Sequence, residues 1–192
     1  MLSAKEFYLK HILRSDNWYF ETVLGVNGSD IIHISDDFKT IVSNELGISF
    51  NNIAMVGSGK LGYSLSPNPK KLFLEFNDNE KIRKISDVDI AIVSSQLFQK
   101  YWDLFRKSYK PKYAAIYNYI PREIYRGYIN ENHLQEVEGC RKEWNAISST
   151  SKKSLYNDLY MKHEVTYRLY RSWEDFEEYH IQSLTKIKRG DL

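Results

Sequence analysis

The chain has 192 residues, of which 42% are apolar and 15% aromatic, and this composition predicts a folded protein rather than a disordered one. Its formal net charge of +2 is too small to indicate nucleic-acid binding by charge alone. Cys140 is the lone cysteine, no apolar run approaches the roughly 18 residues of a membrane helix, and the first residues lack a signal-peptide pattern. We therefore expect a single cytoplasmic domain over 1–192 with no membrane partner.

The N-terminal part is predicted to be mainly helical. Ser3 has the position of a capping-box residue, and the helix that it opens is predicted to run to about Arg14. A short strand is predicted at 31–34. Ser35 then caps a second helix, for which Gly47 is the expected end.

Two predicted strands carry the most informative residues. The first is the apolar run at 53–56, which ends at Gly57 and Ser58, and the second begins with Asp87 and Asp89. Because side chains alternate along a strand, these two carboxylates lie on the same face. Neighbouring carboxylates repel each other unless a cation lies between them. The pattern therefore favours a divalent metal ion, and the Gly-Ser turn favours a phosphate.

A long insertion, 59–86, separates the two strand signatures. Pro67 and Pro69 exclude one continuous helix there, and 72–76 is predicted to be a short strand or a loop arm. After the second strand, Ser94 caps a strongly amphipathic helix. We assign its apolar face to the protein core; that face consists of Leu97, Phe98, Tyr101, Trp102, Leu104 and Phe105.

The C-terminal half begins with helices that are predicted to break near Pro121 and Gly127. A further helix is predicted at 136–145, and a polar, flexible segment at 148–153 follows it. Alternating apolar and polar residues predict a strand at 164–170.

Ser172 is predicted to cap the last helix, on whose buried face His180 is expected to be a packed histidine. On the preceding helices, Arg122 and Arg126 are spaced as neighbours on one helix face, which is typical of a solvated surface or, alternatively, of a pair that contacts phosphate.

Together these elements predict an α+β fold, in which a small mixed β-sheet is flanked by helices. Within the single domain, we expect a helical part at 1–50, a core at 53–95 that bears the motifs and contains the insertion, and helices plus one strand at 96–192.

The glycines that follow the first strand allow other interpretations. A Walker-type phosphate loop is excluded, because Ala54 replaces its first glycine and Leu61 replaces its serine or threonine. Gly57, Gly59 and Gly62 match the spacing of a dinucleotide fingerprint. That fingerprint needs a helix in a βαβ unit, and the prolines of the insertion follow almost at once. A dinucleotide-binding enzyme is therefore the least favoured alternative.

An apolar strand ending in Gly57-Ser58, followed by a strand that begins with Asp87-Val88-Asp89-Ile90, resembles the DNA polymerase β-type nucleotidyltransferase superfamily. The likeness covers roughly 50–95 and is closest to minimal, prokaryotic-type members. It implies a compact mixed sheet flanked by helices. It also implies that the Gly-Ser turn holds a triphosphate and that Asp87 and Asp89 bind two Mg²⁺ ions.

The same resemblance implies a third carboxylate on a later strand. Glu164 is the acid available at the predicted strand 164–170, and Thr166 and Arg168 share its face. Lys60 is expected either to add a positive charge next to the phosphates or to be an exposed surface lysine. The predicted catalytic residues are thus Asp87, Asp89 and Glu164, and the predicted nucleotide contacts are Gly57, Ser58 and Lys60.

The expected activity is Mg²⁺-dependent transfer of a nucleoside monophosphate from an NTP such as ATP to a protein or RNA acceptor. The superfamily resemblance places such small members in bacterial toxin–antitoxin or phage-defence modules, where a cognate partner protein is expected. The alternative is a catalytically silent relative that binds a nucleotide or a partner.

Overall fold

A mixed sheet of four strands, flanked by helices, forms the centre of the computed structural model, which describes residues 2–14 and 16–191. The strands are β1 (Ile53–Val56), β2 (Val88–Val93), β3 (Tyr128–Asn130) and β4 (Val165–Tyr170). Their order in the sheet is β1-β2-β4-β3. β2 and β4 are parallel, whereas β1 pairs antiparallel with β2 and β3 pairs antiparallel with β4. The fold is therefore α+β, as predicted.

The helices lie before, between and after the strands. Their bounds are α1 (Ala4–Phe7), α2 (Asp30–Leu46), α3 (Gly57–Leu61), α4 (Ser95–Ser108), α5 (Ala114–Tyr117), α6 (Ile120–Tyr125), α7 (Glu131–Glu136), α8 (Glu138–Leu159) and α9 (Trp173–Arg189). Two short π-helical segments, Tyr8–Ile12 and Tyr19–Val23, lie between α1 and α2. Single 3₁₀ turns precede β1 at Phe50–Asn52 and α5 at Pro111–Tyr113. No helix among the described residues is both long and apolar enough to cross a membrane.

The two faces of the sheet contact different parts of the chain. On one face, Ile90, Ile92 and Leu169 are buried against α2, α4 and α8 in the larger core. On the opposite face, a smaller cluster joins Tyr170 at the end of β4 to Tyr8 and to α9. Since β2 alternates between these faces, Asp89 lies on the same side as the smaller cluster, at the start of the strand.

A buried carboxylate ties α7 to α8 and to the sheet. Glu131 accepts hydrogen bonds from the Trp144 indole N–H at 2.7 Å and from the main-chain N–H of Tyr167 at 2.8 Å. It also forms an ion pair of 2.7 Å with the Lys152 ammonium. These partners compensate for the loss of hydration, because a buried charge without them is strongly destabilising.

Several predicted boundaries are confirmed. Ser3 forms the capping box with which α1 begins, and β1 has the predicted bounds. Gly47 ends α2 with a left-handed backbone at φ 63°. Ser94 and Ser172 accept hydrogen bonds from main-chain N–H groups of the first turns of α4 and α9. Short-range capping signals were sufficient at all of these positions.

The predicted strand at 31–34 is wrong. These residues are the first turns of α2, which begins at Asp30, so Ser35 lies inside the helix rather than at its start. Phe38, Val42 and Leu46 bury one face of the whole element at helical spacing. A run of three isoleucines is ambiguous by itself, and the packing of the following turns decided for a helix.

The predicted flexible segment at 148–153 is also wrong, because it lies within α8. Ser148 and Ser151 are buried, and the Ser151 hydroxyl is 2.8 Å from the Tyr167 hydroxyl, so these small polar residues pack against the sheet. The predicted helix breaks near Pro121 and Gly127 are confirmed, because α5 ends at Tyr117 and α6 spans Ile120–Tyr125. Pro121 itself lies in the first turn of α6, where its missing N–H costs nothing.

Elsewhere, 72–76 is a loop arm rather than a strand, and its pairing is limited to a single bridge between Tyr63 and Glu75.

Replacing Glu131 with alanine should destabilise the fold by about 3–5 kcal/mol, because the Lys152 charge and two buried N–H groups would lose their partner. Urea unfolding of the two proteins measures this difference. Glu136→Ala is the matched control, since Glu136 lies on the same helix but is exposed. We expect its effect to stay within about 0.5 kcal/mol. Equal losses for both variants would contradict the role assigned to Glu131.

Candidate functional site

The turn from β1 into α3 brings main chain into contact with an acidic side chain. Val56 pairs with Asp89, so the next residue, Gly57, lies at the carboxylate. A Cβ atom added to Gly57 would be 2.4 Å from Oδ2 of Asp89, and Gly57 has φ +68°, a conformation that favours glycine. Both the close approach and the backbone conformation therefore require this glycine.

Asp87 and Asp89 lie close together. The Thr166 hydroxyl is 3.4 Å from Oδ2 of Asp87 and 3.2 Å from Oδ1 of Asp89. A hydroxyl has one proton to donate, so the two carboxylates share it. The predicted proximity of the two acids on one face of the strand is found, and the residue between them, Thr166, is the register partner of Asp89 on β4.

Electrostatics at Asp89 disfavour its charged form. Burial is the largest cause of its raised pKa, and the negative charge of Asp87 raises that pKa further. Arg168, the Thr166 hydroxyl and Lys71 act in the opposite direction. A cation close to the two carboxylates would relieve the remaining repulsion.

Lys60 differs from its predicted role. The side chain is buried, with 6% exposed, and its ammonium donates hydrogen bonds to the main-chain oxygens of Arg14 and Asp16. Burial lowers the pKa of Lys60 to about 8. The ammonium thus links α3 to the N-terminal part of the chain, and its donors are directed at main chain rather than at a phosphate.

Glu164 lies immediately before β4, and its main-chain oxygen accepts a hydrogen bond of 2.8 Å from the N–H of Val88. Its side chain is exposed. Among the described residues, no three His, Cys, Asp or Glu side chains come together as a metal-binding group, so Glu164 does not complete one with Asp87 and Asp89. Its role as the third carboxylate stays a prediction.

Further polar groups lie along the same face of the sheet. Arg168 donates a hydrogen bond of 2.7 Å from Nε to Oδ1 of Asn130 and one of 2.6 Å from Nη1 to the Tyr179 hydroxyl. Asn130 comes from β3 and Tyr179 from α9. The sequence predicted that Arg168 shares the face of Glu164 but gave no indication of its partners, since β3 is too short to show a periodic pattern.

The dinucleotide fingerprint does not match this geometry. After β1 the chain forms only the five-residue helix α3, which ends at Leu61 with Gly62 as its C-cap, and the next strand is antiparallel to β1. A fingerprint loop instead opens a longer helix between parallel strands.

The donor set fits magnesium. Mg²⁺ is commonly held by one or two carboxylates together with substrate phosphates, so a complete cage of protein ligands is not needed. Asp87 and Asp89 supply carboxylate oxygens that are adjacent and partly shielded from water. Gly57 and Ser58 are half-buried, and Gly57 lies against the Asp89 carboxylate.

Three comparisons with known proteins, namely a scan against protein-family models, a search of curated proteins and a search of solved structures, each found no match. The site is therefore interpreted from its own geometry and chemistry.

Replacing Asp87 with asparagine should stabilise the protein at neutral pH. Folding raises the pKa of Asp89. The free energy of unfolding therefore falls as pH rises from the pKa of Asp89 in the unfolded chain to its pKa in the folded protein. Removing the Asp87 charge makes this fall in the free energy of unfolding smaller. A free energy of unfolding that is higher by about 1 kcal/mol would raise the unfolding temperature by about 2–4 °C. Thermal unfolding between pH 4 and 8 measures the effect.

In the same experiment, Mg²⁺ should raise the unfolding temperature of the wild type more than that of Asp87→Asn. Asp36→Asn, a substitution at an exposed position of α2, should behave as the wild type in both respects. A lower unfolding temperature of Asp87→Asn at neutral pH, or equal shifts with Mg²⁺, would contradict a cation site between the carboxylates.

Proposed function

We propose that this protein is a Mg²⁺-dependent nucleotidyltransferase that moves a nucleoside monophosphate from an NTP to a protein or RNA acceptor. The observation that carries the proposal is the convergence of Asp87 and Asp89 on the Thr166 hydroxyl, directly beside the Gly57 main chain. The proposal includes a polymerase β-like nucleotidyltransferase fold, with which the mixed sheet and its flanking helices are compatible.

The chemistry requires these residue types. An acceptor hydroxyl attacks the α-phosphorus and pyrophosphate leaves, so negative charge grows on the attacking and leaving oxygens. Two Mg²⁺ ions, when bound, supply charge stabilisation at both oxygens. Asp87 and Asp89 would hold these ions with their carboxylate oxygens, and the Thr166 hydroxyl orients the carboxylates.

The turn after β1 would hold the terminal phosphates. The Asp89 carboxylate fills the space that a side chain of Gly57 would need, so a phosphate held by this turn would lie next to the metal-binding carboxylates. The Ser58 hydroxyl is the next polar group along this turn. Glu164, immediately before β4, is the proposed acceptor of the proton from the attacking hydroxyl.

Incubation with each α-labelled NTP, Mg²⁺ and either RNA or cell extract tests the proposal. We expect the wild type to transfer label, and both Asp87→Asn and Asp89→Asn to lower the rate by about 100-fold or more, the scale of losing a group that stabilises transition-state charge. Asp36→Asn is the matched control and should retain the wild-type rate. Absence of transfer from all NTPs, or full activity in the two site variants, would refute an enzyme that uses this pair.

A second candidate function is nucleotide binding without turnover. Two residues of β4 favour this candidate. Thr166, not a third acid, lies beside Asp89, and Arg168 follows further along the same face. This candidate predicts that NTP and Mg²⁺ raise the unfolding temperature while no label is transferred. Thr166→Glu, which adds a third carboxylate next to the pair, should then create measurable transfer.

A further inference from the structure

Two arginines flank a pair of tyrosine rings near the edge of the sheet. The Arg126 guanidinium lies 5.4 Å from the ring centre of Tyr128 and 5.5 Å from that of Tyr179. The Arg168 guanidinium lies 5.6 Å and 4.9 Å from the same two rings. Both cations therefore contact one aromatic pair, which brings two like charges close together.

Neither guanidinium forms a direct ion pair with an acid among the described residues, and the nearest charge partner of Arg168 is Asp89 on the same sheet face. Arg126 is exposed, and its hydrogen bond is a long one, 3.4 Å from Nη1 to the Tyr128 hydroxyl. Arg168 donates to Asn130 and Tyr179, neither of which carries a negative charge. Two adjacent guanidiniums of this kind repel each other and form a favourable site for an anion.

The neighbouring carboxylates have other partners. Asp175 is bound by Arg171 through two hydrogen bonds of 2.8 and 2.7 Å. Glu123 accepts hydrogen bonds from Asn130 and contacts His133 at 2.9 Å. The acids next to the arginines are thus already engaged, so the positive potential of Arg126 remains available to a ligand.

The cluster lies alongside the acidic pair. Arg168 follows Thr166 on the same face of β4, and Asn130 of β3 is its register partner. Arg168 therefore lies between the carboxylates and the edge strand β3. Tyr125, directly before Arg126, is 88% exposed at the end of α6. An exposed ring that directly precedes a cation in sequence offers a surface on which a base can stack while the cation contacts a phosphate of the same strand.

We infer that Arg126, Arg168 and Tyr125 form a subsite for a single-stranded nucleic acid, in which the arginines contact a phosphodiester and the tyrosine stacks a base. The inference rests on the proposed nucleotidyltransferase function and specifies it, because it makes the acceptor a nucleic acid strand rather than a protein side chain. RNA and DNA share the chemistry that this subsite recognises, and binding measurements with both distinguish them.

Fluorescence anisotropy with labelled 12-nucleotide RNA and DNA strands, in EDTA so that no transfer occurs, tests the subsite. We expect Arg126→Gln to weaken binding of the preferred strand about tenfold and to reduce the slope of log affinity against log salt by about 1. Tyr125→Ala should weaken binding by a similar factor through lost stacking. Arg126 is chosen over Arg168 because its side chain is exposed and its loss leaves the hydrogen bonds of Asn130 and Tyr179 intact.

Arg122→Gln is the matched control. Arg122 is exposed on α6, the helix that ends directly before Arg126, and it lacks the contacts with the tyrosine pair, so its loss should change affinity less than twofold. Equal effects of Arg122→Gln and Arg126→Gln, or no binding of either strand by the wild type, would overturn the inference.

Activity separates this inference from the proposed function. If label is transferred to a protein acceptor, and Arg126→Gln leaves that rate unchanged, the subsite is refuted while the nucleotidyltransferase proposal stands. If strands bind through Arg126 but no NTP yields transfer, the subsite stands and the enzymatic proposal fails.

Discussion

The pairing of β2 with β4 is the constraint on which the candidate site depends. The strands are parallel, with Asp89 beside Thr166 and Ala91 beside Arg168. Because paired residues project from the same face, this register brings a hydroxyl to the two carboxylates and a guanidinium one step further along. A slip by one residue would turn Thr166 and Arg168 toward the apolar core, and the site would lose both groups.

The core on the opposite face holds this register in place. Ile90 pairs with Tyr167 and Ile92 pairs with Leu169, and these side chains are buried. Glu131 adds a directional contact, since it accepts a hydrogen bond from the main-chain N–H of Tyr167. Burial of one face thus determines the positions of the polar groups on the other. Much of the stability of the fold and the geometry of the site therefore depend on the same strand pair.

The same sheet face carries carboxylates and a guanidinium that interact electrostatically without forming a direct ion pair among the described residues. The carboxylates lie at the start of β2, where Oδ2 of Asp89 leaves no room for a side chain on Gly57. Arg168 lies further along β4 and is held by the neutral groups of Asn130 and Tyr179. In the proposed reaction, the carboxylates would serve a metal-bound phosphate and Arg168 would serve a second phosphate.

Much of the secondary structure was accessible from local patterns. Apolar runs and caps predicted β1, the end of α2 and the start of α4, because such signals act within a few residues. Patterns were insufficient where packing decided the outcome. The isoleucines at 31–34 suit a strand as well as a helix, and the serines of 148–153 are typical of loops until a partner such as Tyr167 buries them.

For the site, the sequence by itself determined that Asp87 and Asp89 share a face and that a Gly-Ser turn follows β1, since both properties follow from strand alternation and local composition. Only the tertiary structure decided that Thr166, 77 residues away from Asp89 in sequence, lies between the carboxylates. It also decided that Lys60 donates to main-chain oxygens. Likewise, only the packing places Arg126 and Arg168 at the same tyrosine ring. The physical reason is the range of the forces involved. Side-chain alternation is a property of each strand alone, whereas contacts between distant segments depend on strand register and on how helices pack around the sheet.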